Sequence, residues 1–262
     1  MIDTNKYGPW AVIAGGSEGV GAAFADELAQ AGINLVLVAR KAGPLEETAE
    51  AVRKHGVEVR TLAQDLLTDD AVANIAEVTE GLEVGLLVFN AGANTYGHEF
   101  VTGDMDGFRG VITLNVDRQL ELAQLYGKPM AERGRGGIIL LGSLSGYLGS
   151  EQQSIYSASK AFSRIFTEGL WLEMKDRGVD VVQLVLGVTR TPAMERAGLN
   201  FDVPGMRVSD PLTVAREGLE HIADGPVWVA DGNQKGAELQ SGFPRDKLVA
   251  GHAAALRKLM GR

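Results

Sequence analysis

The sequence predicts an α/β fold, a doubly wound parallel sheet of seven strands with helices on both faces. Three observations lead there. Short apolar runs alternate with amphipathic stretches along the 262 residues, the pattern of strands linked by helical crossovers. Several runs are apolar without polar alternation, as in Leu35-Val36-Leu37-Val38, which burial of both strand faces requires. A glycine cluster separates the first run from the first amphipathic stretch, where such folds turn the chain sharply toward a helix.

In chain order, strands are read at 10–14, 34–39, 58–63, 85–89, 137–141, 179–186 and 227–230, as a set rich in Val, Leu and Ile. Such residues suit a pleated, buried surface. Helices are read between them at 19–31, 44–54, 69–80, 108–133, 154–177 and 211–223, with a last one at 245–260. The stretch 190–210 carries Pro192, Pro204 and Gly205 and no clear period. An irregular segment of that length is uncommon unless it serves as a lid. No repeat, low-complexity segment or linker interrupts the alternation. One domain over 1–262 is therefore expected, with a substrate lid at about 190–210.

Composition narrows the chemistry. The chain has 25 Lys and Arg against 34 Asp and Glu, a net charge of -9. That balance argues against nucleic acid or an anionic membrane as a partner. No cysteine is present, which excludes disulfides, thiol catalysis and cysteine-held metals. His55, His98, His221 and His252 are too dispersed to suggest zinc ligands. No metal is expected. No apolar run has the length of a membrane span. The opening MIDTNKYGPW lacks a basic region followed by an apolar core, so no secretion signal and a cytoplasmic location are expected.

The chemistry is concentrated near the middle of the chain. Tyr156 and Lys160 are four residues apart, and Ser143 lies thirteen before the tyrosine. On a helix, residues four apart share a face. A lone pair of this kind is usually a surface contact. Together with a serine it can form a proton-transfer site. A phenol titrates near ~10 and is a poor acid-base group at neutral pH. A fixed cation beside it stabilises the phenolate, and a hydroxyl can hold a carbonyl or alcohol against it.

A second set suits a dinucleotide. Strand one runs into Gly15-Gly16-Ser17-Glu18-Gly19-Val20-Gly21. These glycines permit a tight turn and close approach of a pyrophosphate, which the N-H groups of the next helix would face. Ser17 and Val20 belong to the same loop. Strand two ends in Arg40-Lys41, where a positive charge suits the 2'-phosphate of NADP; an acidic residue would suit NAD. A solvated strand end is the bland alternative, and Glu18 argues mildly against NADP. Asp65, with Leu66 beside it, could accept from an adenine amino group or cap a helix. Asn90-Ala91-Gly92 ends strand four; its small residues admit a ribose, and its amide can tie neighbouring strands. Gly15, Arg40, Asp65, Asn90, Ser143 and Gly187 all fall at strand ends, where ligands of such Rossmann-type sheets bind.

Together these residues resemble the short-chain dehydrogenase/reductase family in its single-domain branch. The likeness runs in order through roughly residues 8 to 230. It rests on the glycines at 15, 19 and 21, Asn90-Ala91-Gly92, Asn115, Ser143, Tyr156, Lys160 and the 187–191 segment. The resemblance implies NADP(H), with NAD(H) as the second possibility, and a reaction between a carbonyl and an alcohol. Tyr156 would exchange the proton, and Lys160 would lower its pKa and bind the nicotinamide ribose. Ser143 would orient the oxygen, Asn115 would hold a relay water, and Thr191 would meet the carboxamide. Ala14, Phe89 and Leu186 depart from the family pattern, where threonine, asparagine and proline are usual. They put local cofactor affinity in question rather than the reacting groups.

The substrate end is read in the 190–210 stretch and beside Ser143. Met194, Leu199, Phe201, Val203 and Met206 lie in the stretch; Leu144, Tyr147 and Leu148 follow the serine. They suggest a small hydrophobic substrate, steroid-like or acyl-like, or else they simply pack on the domain. A nucleotide-binding or redox-sensing protein without catalysis is the alternative function. Phe162, Ile165, Phe166, Leu170 and Leu172 exceed one buried helical stripe. A homo-oligomer, tetramer or dimer, is therefore expected, with helices 108–133 and 154–177 as the contact.

Overall fold

A computed structural model describes residues 2–203 and 205–259, with side chains through Ala255. Pro204 of the 190–210 stretch and Met260 of the last helix lie outside the described residues. A short helix α1 (Thr4–Tyr7) precedes β1 (Trp10–Ala14). Then come α2 (Gly19–Gln30), β2 (Asn34–Ala39), α3 (Ala42–Arg53) and β3 (Val59–Ala63). α4 (Ala71–Val78) and β4 (Val84–Phe89) follow. α5 (Met105–Ile112), a π-helical turn at Thr113–Asp117 and α6 (Arg118–Arg133) lead to β5 (Gly136–Ser143). The second half runs α7 (Ser154–Met174), β6 (Val179–Leu186), α8 (Pro192–Arg196), α9 (Pro211–Glu220) and β7 (Val227–Val229). It closes with α10 (Gln234–Gln240) and α11 (Arg245–Leu259).

The seven strands form one parallel sheet in the order β3-β2-β1-β4-β5-β6-β7. Alternation along β1 shows why both faces are covered. Ala11 and Ile13 enter one core with Phe24 and Leu28 of α2, Leu45 of α3 and Val214 of α9. Trp10, Val12 and Ala14 enter the other with Ile75 of α4, Leu122 and Tyr126 of α6 and Met174 of α7. A period of two on a strand sends neighbours to opposite faces, so a continuous apolar run needs helices on both. The strand order reverses between β1 and β4, and the cleft opens there.

Several boundaries differ from the sequence reading. The helix expected at 108–133 begins at Met105, because Asp104 caps it by accepting from Gly107 N at 2.9 Å. It is also interrupted by the π turn. The helix expected at 69–80 shortens to α4. The 190–210 stretch is not wholly irregular: Thr191 caps α8 by accepting from Met194 N at 3.3 Å, and Pro192 supplies a ready-made first-turn φ. α1 and α10 are additions. Both are short, and α1 is carried by its Asp3 cap rather than by a repeating apolar face.

Candidate active site

The glycine loop crosses the carboxyl end of β1 into α2. Gly21 has no room for a side chain, since a Cβ there would lie 1.9 Å from the Gly15 carbonyl. The first turn of α2 is thereby pressed onto the loop, leaving its N-H groups facing the cleft. Asn90 ties the next strand to this loop by donating from Nδ2 to Gly15 O at 2.8 Å. A cleft of about 630 Å³ runs from here along the strand ends. Gly15, Ser17, Gly19, Val20, Arg40, Asp65, Leu66, Asn90, Ala91, Gly92, Ser143, Tyr156, Lys160 and Thr191 all line it. Gly21 and Asn115 lie one layer behind its wall.

At one end stand the groups suited to proton transfer. Lys160 is 5% exposed, and its Nζ lies 5.7 Å from the Tyr156 ring centroid. The ammonium donates to Leu141 O at 2.9 Å, which fixes it and leaves further N-H groups for a ligand. Burial lowers its pKa to about 8. Burial raises the Tyr156 phenol above its ordinary range, and the Ser143 hydroxyl pulls it back. The net shift is upward because removing a phenolate from water costs more than the Ser143 hydrogen bond returns. Ser143 Oγ accepts from Ser145 N at 3.1 Å and keeps its own proton to donate.

Asn115 sits in the π turn, a feature often found at functional sites. Its Nδ2 donates to Val111 O at 2.9 Å and to Ala93 O at 3.0 Å. Its Oδ1 is buried without a partner among the described residues. Gly92 separates this oxygen from the lysine: a Cβ at Gly92 would lie 2.7 Å from Lys160 Nζ and 2.8 Å from Asn115 Oδ1. Any side chain there would fill the space between them.

The other end is open. Arg40 and Lys41 are exposed, and Arg40 has no hydrogen-bond or ion-pair partner among the described residues. Asp65 accepts from Leu67 N at 3.0 Å, closing its own turn; Asp70, not Asp65, precedes α4. The buried Arg118 guanidinium holds that turn by donating to Leu66 O at 2.6 Å and Thr68 O at 2.9 Å. Glu18 is already occupied, accepting from Arg196 Nη1 of α8 at 3.0 Å and from Nη2 as well. Its charge is thus directed at the 190–210 segment.

That segment is fastened at its base, where Arg190 N donates to Ser209 O at 3.0 Å and Ser209 N to Val188 O at 2.8 Å. Met194 and Leu199 line the cleft, whereas Phe201 packs under Arg190, whose guanidinium lies 4.5 Å from the ring centroid. Leu186 also lines the cleft, but Ala14 and Phe89 belong to the core behind it. Those two departures from the family pattern therefore do not face a cofactor. Sequence reasoning missed Gln240 and His252, which reach the same cleft from α10 and α11. No motif marks them; only the folding-back of the C-terminal helices brings them there. A more open groove of about 810 Å³ between α7 and α11 contains none of Ser143, Tyr156 or Lys160. Among the described residues no cluster suited to a metal occurs.

The arrangement can bind a dinucleotide along a parallel sheet and offer a proton beside it. The chain is similar to known dehydrogenases. A short chain dehydrogenase family model matches residues 9–200. A 7β-hydroxysteroid dehydrogenase of Clostridium sardiniense is 31% identical over 247 residues, 94% of either chain. A solved 7β-hydroxysteroid dehydrogenase structure is similar with a TM-score of 0.87 at 27% identity, covering 95% of this chain and 98% of that one. A short-chain dehydrogenase from Sphingobium yanoikuyae, solved in complex with NADPH, has a TM-score of 0.78 at 30% identity, covering 88% and 92%. The chain therefore belongs to the short-chain dehydrogenase/reductase family and is an NAD(P)-dependent oxidoreductase.

Proposed function

We propose that this enzyme prefers NADP(H) and interconverts a carbonyl and an alcohol on a small hydrophobic substrate, with Tyr156 as the acid-base group. One observation supports the reading most. A single cleft joins a serine hydroxyl, a phenol and a buried lysine at one end to an unpaired guanidinium at the other.

NADP(H) supplies the hydride. The chain's own residues would do the rest. Gly15, Ser17, Gly19, Val20 and Gly21 would hold the pyrophosphate at the start of α2. Arg40 would meet the 2'-phosphate, Asp65 and Leu66 the adenine, and Asn90, Ala91 and Gly92 a ribose. Thr191 would contact the carboxamide. Ser143 would hold the substrate oxygen against Tyr156. In reduction, the carbonyl carbon gains the hydride and its oxygen takes the phenol proton; oxidation reverses both transfers. Burial keeps the phenol protonated at neutral pH, the state that donates. Lys160, charged below about pH 8, would stabilise the phenolate that forms. The unpartnered Asn115 Oδ1 would hold a water able to return the proton.

The chain would work as one domain with 190–210 as its lid. Met194, Leu199, Leu144 and Leu186 would meet the apolar body of the substrate, and Gln240 and His252 its far end. The Clostridium sardiniense relative is a hydroxysteroid dehydrogenase by name, so ring ketones are the first class to test. Initial rates should be followed by NADPH absorbance over ring ketones, β-ketoacyl thioesters and short polar ketones, each repeated with NADH. Ring ketones or thioesters reduced faster with NADPH are expected. Binding of NADPH without turnover of any carbonyl would favour the sensor alternative.

Assembly as a homo-oligomer, dimer or tetramer, through α6 and α7 belongs to the same proposal. Ile165 and Leu172 of α7 are 58% and 57% exposed, which leaves apolar area for a second contact. A monomeric mass by light scattering at micromolar concentration would remove this part. The cytoplasmic location rests on the sequence; no described helix is long and apolar enough to cross a membrane.

A further inference from the structure

Beneath the catalytic end lies a chain of three side chains that nothing above employs. Gln119 of α6, Ser163 of α7 and Gln183 of β6 are 1%, 0% and 1% exposed. Gln183 Nε2 donates to Ser163 Oγ at 3.0 Å, and Ser163 Oγ donates to Gln119 Oε1 at 2.8 Å. The chain runs from Gln183 through Ser163 to Gln119. Gln119 Nε2 is left buried without a partner among the described residues.

Each member sits one step from a group assigned to the reaction. Ser163 lies one helical turn after Lys160, and Gln119 lies four residues after Asn115, across the π turn. Gln183 lies against Gly142, the residue before Ser143: a Cβ at Gly142 would be 2.7 Å from Gln183 Cδ. The bridge thus joins α6, which follows the turn carrying Asn115, and α7, which carries the Tyr156–Lys160 pair, to β6, whose Gln183 packs on the β5 end just before Ser143.

Apolar side chains could hold these segments together with no polar group to satisfy. Apolar packing is non-directional, however, and tolerates small rotations and slides. Sliding or rotating one member of a fully buried hydrogen-bond chain breaks a bond and leaves further buried groups unpaired, which costs stability. We propose that the Gln119–Ser163–Gln183 bridge is a positioning device, with Ser163 as its centre, that sets the register of α6 and α7 against the strand end bearing Ser143. These residues touch neither substrate nor cofactor. They act through the groups they hold, for which a misplacement of about 1 Å can cost about a hundredfold in rate.

The inference rests on the assignment of Ser143, Tyr156 and Lys160 as the reacting set. Tyr156→Phe is therefore measured in the same assay. If Tyr156→Phe kept wild-type turnover, that assignment would fall and the bridge's purpose with it. With Tyr156→Phe inactive, the bridge is judged on its own variants.

Ser163→Ala in the full chain should lower kcat about ten- to a hundredfold. NADPH affinity, read by protein fluorescence, should change less than about threefold, because the phosphate contacts lie elsewhere. Thr167→Val is the control. Thr167 is equally buried one turn further along α7 and donates to Ser163 O at 2.7 Å, outside the bridge. It should lose thermal stability yet keep kcat within about twofold of wild type, well below the effect expected of a positioning residue. Ser163→Ala with Gln183→Leu should be no slower than the slower single variant, as expected of one connected unit. Should Ser163→Ala fail to fold, Gln119→Met opens the other end of the bridge and should lose kcat alike. Wild-type kcat in the folded bridge variant, or an equal loss in Thr167→Val, would overturn the proposal.

Discussion

The two ends of the cleft are built by different means. At the end holding Tyr156, Lys160 is buried and hydrogen-bonded to a strand carbonyl, Asn115 is pinned by two backbone acceptors, and polar side chains link the elements behind them. At the other end, Arg40 and Lys41 stand exposed on a strand terminus, and Asp65 closes a surface turn. Chemistry needs fixed distances, and burial with hydrogen bonds supplies them at a cost in stability. Cofactor choice needs only a charge of the right sign within reach, which surface side chains provide. Substitutions at the buried end should therefore act on rate and stability, and those at the open end on preference.

Tyr156→Phe should break the buried end most completely. It removes one hydroxyl and nothing else. A loss in kcat of about 10²- to 10⁴-fold is expected, the range for a positioned acid-base group, with NADPH affinity nearly unchanged. A variant retaining more than about a tenth of wild-type rate would show that the proton comes from elsewhere.

Lys160→Met should cost both turnover and cofactor affinity, and it should expose what the burial costs. The lysine pKa is lowered to about 8 from its ordinary 10.5. Between those values the unfolded chain binds more protons than the folded one, so wild-type stability rises with pH across that window. Below about pH 8 the buried charge is a constant penalty. Chemical denaturation of both proteins from pH 7 to 10.5 should show the wild type gaining on Lys160→Met, by up to about 3 kcal/mol. A difference independent of pH would mean that the ammonium titrates normally.

Arg40→Asp tests the open end. A phosphate loses a charge-assisted partner and meets a carboxylate, while ribose hydroxyls gain an acceptor. kcat/KM with NADPH should fall about ten- to a hundredfold and that with NADH should rise, with kcat little changed. Equal use of both cofactors by the wild type would already dissolve the contrast between the ends.

The ends also differ in how they could be read from sequence. The sheet was legible because buried parallel strands must be apolar on both faces, as Leu35, Leu37, Val36 and Val38 are. Gly15, Asn90, Ser143, Tyr156 and Lys160 stood out because few residue types suit the roles expected of them, and the structure brings all five to one cleft. What failed to appear depends on long-range folding. Gln240 and His252 enter the cleft only because α10 and α11 fold back over it. Gln119, Ser163 and Gln183 are ordinary polar letters until three elements meet. The rise of the tyrosine pKa was missed because burial, unlike the position of a cation, is not written in local spacing.

The smallest effect is expected where the cleft meets the 190–210 segment. Arg196 of α8 holds Glu18 of the glycine loop by two hydrogen bonds, both on the surface. Exposed ion pairs are individually weak, so Arg196→Ala should alter NADPH affinity by no more than about fivefold and leave kcat unchanged. Its effect should be seen instead in hydrogen exchange of residues 191–203. The base of the segment is fastened through Ser209, which the variant leaves intact. Faster exchange should therefore be confined to α8 and the residues after it, and saturating NADPH with a slow substrate should restore protection in both proteins. Thr191 lies against Gly19 of the glycine loop, and Met194 and Leu199 line the same cleft further along the segment. Protection unchanged by ligand in both proteins would make 190–210 a fixed wall, and substrate entry would then be sought at the α10–α11 side, beside His252.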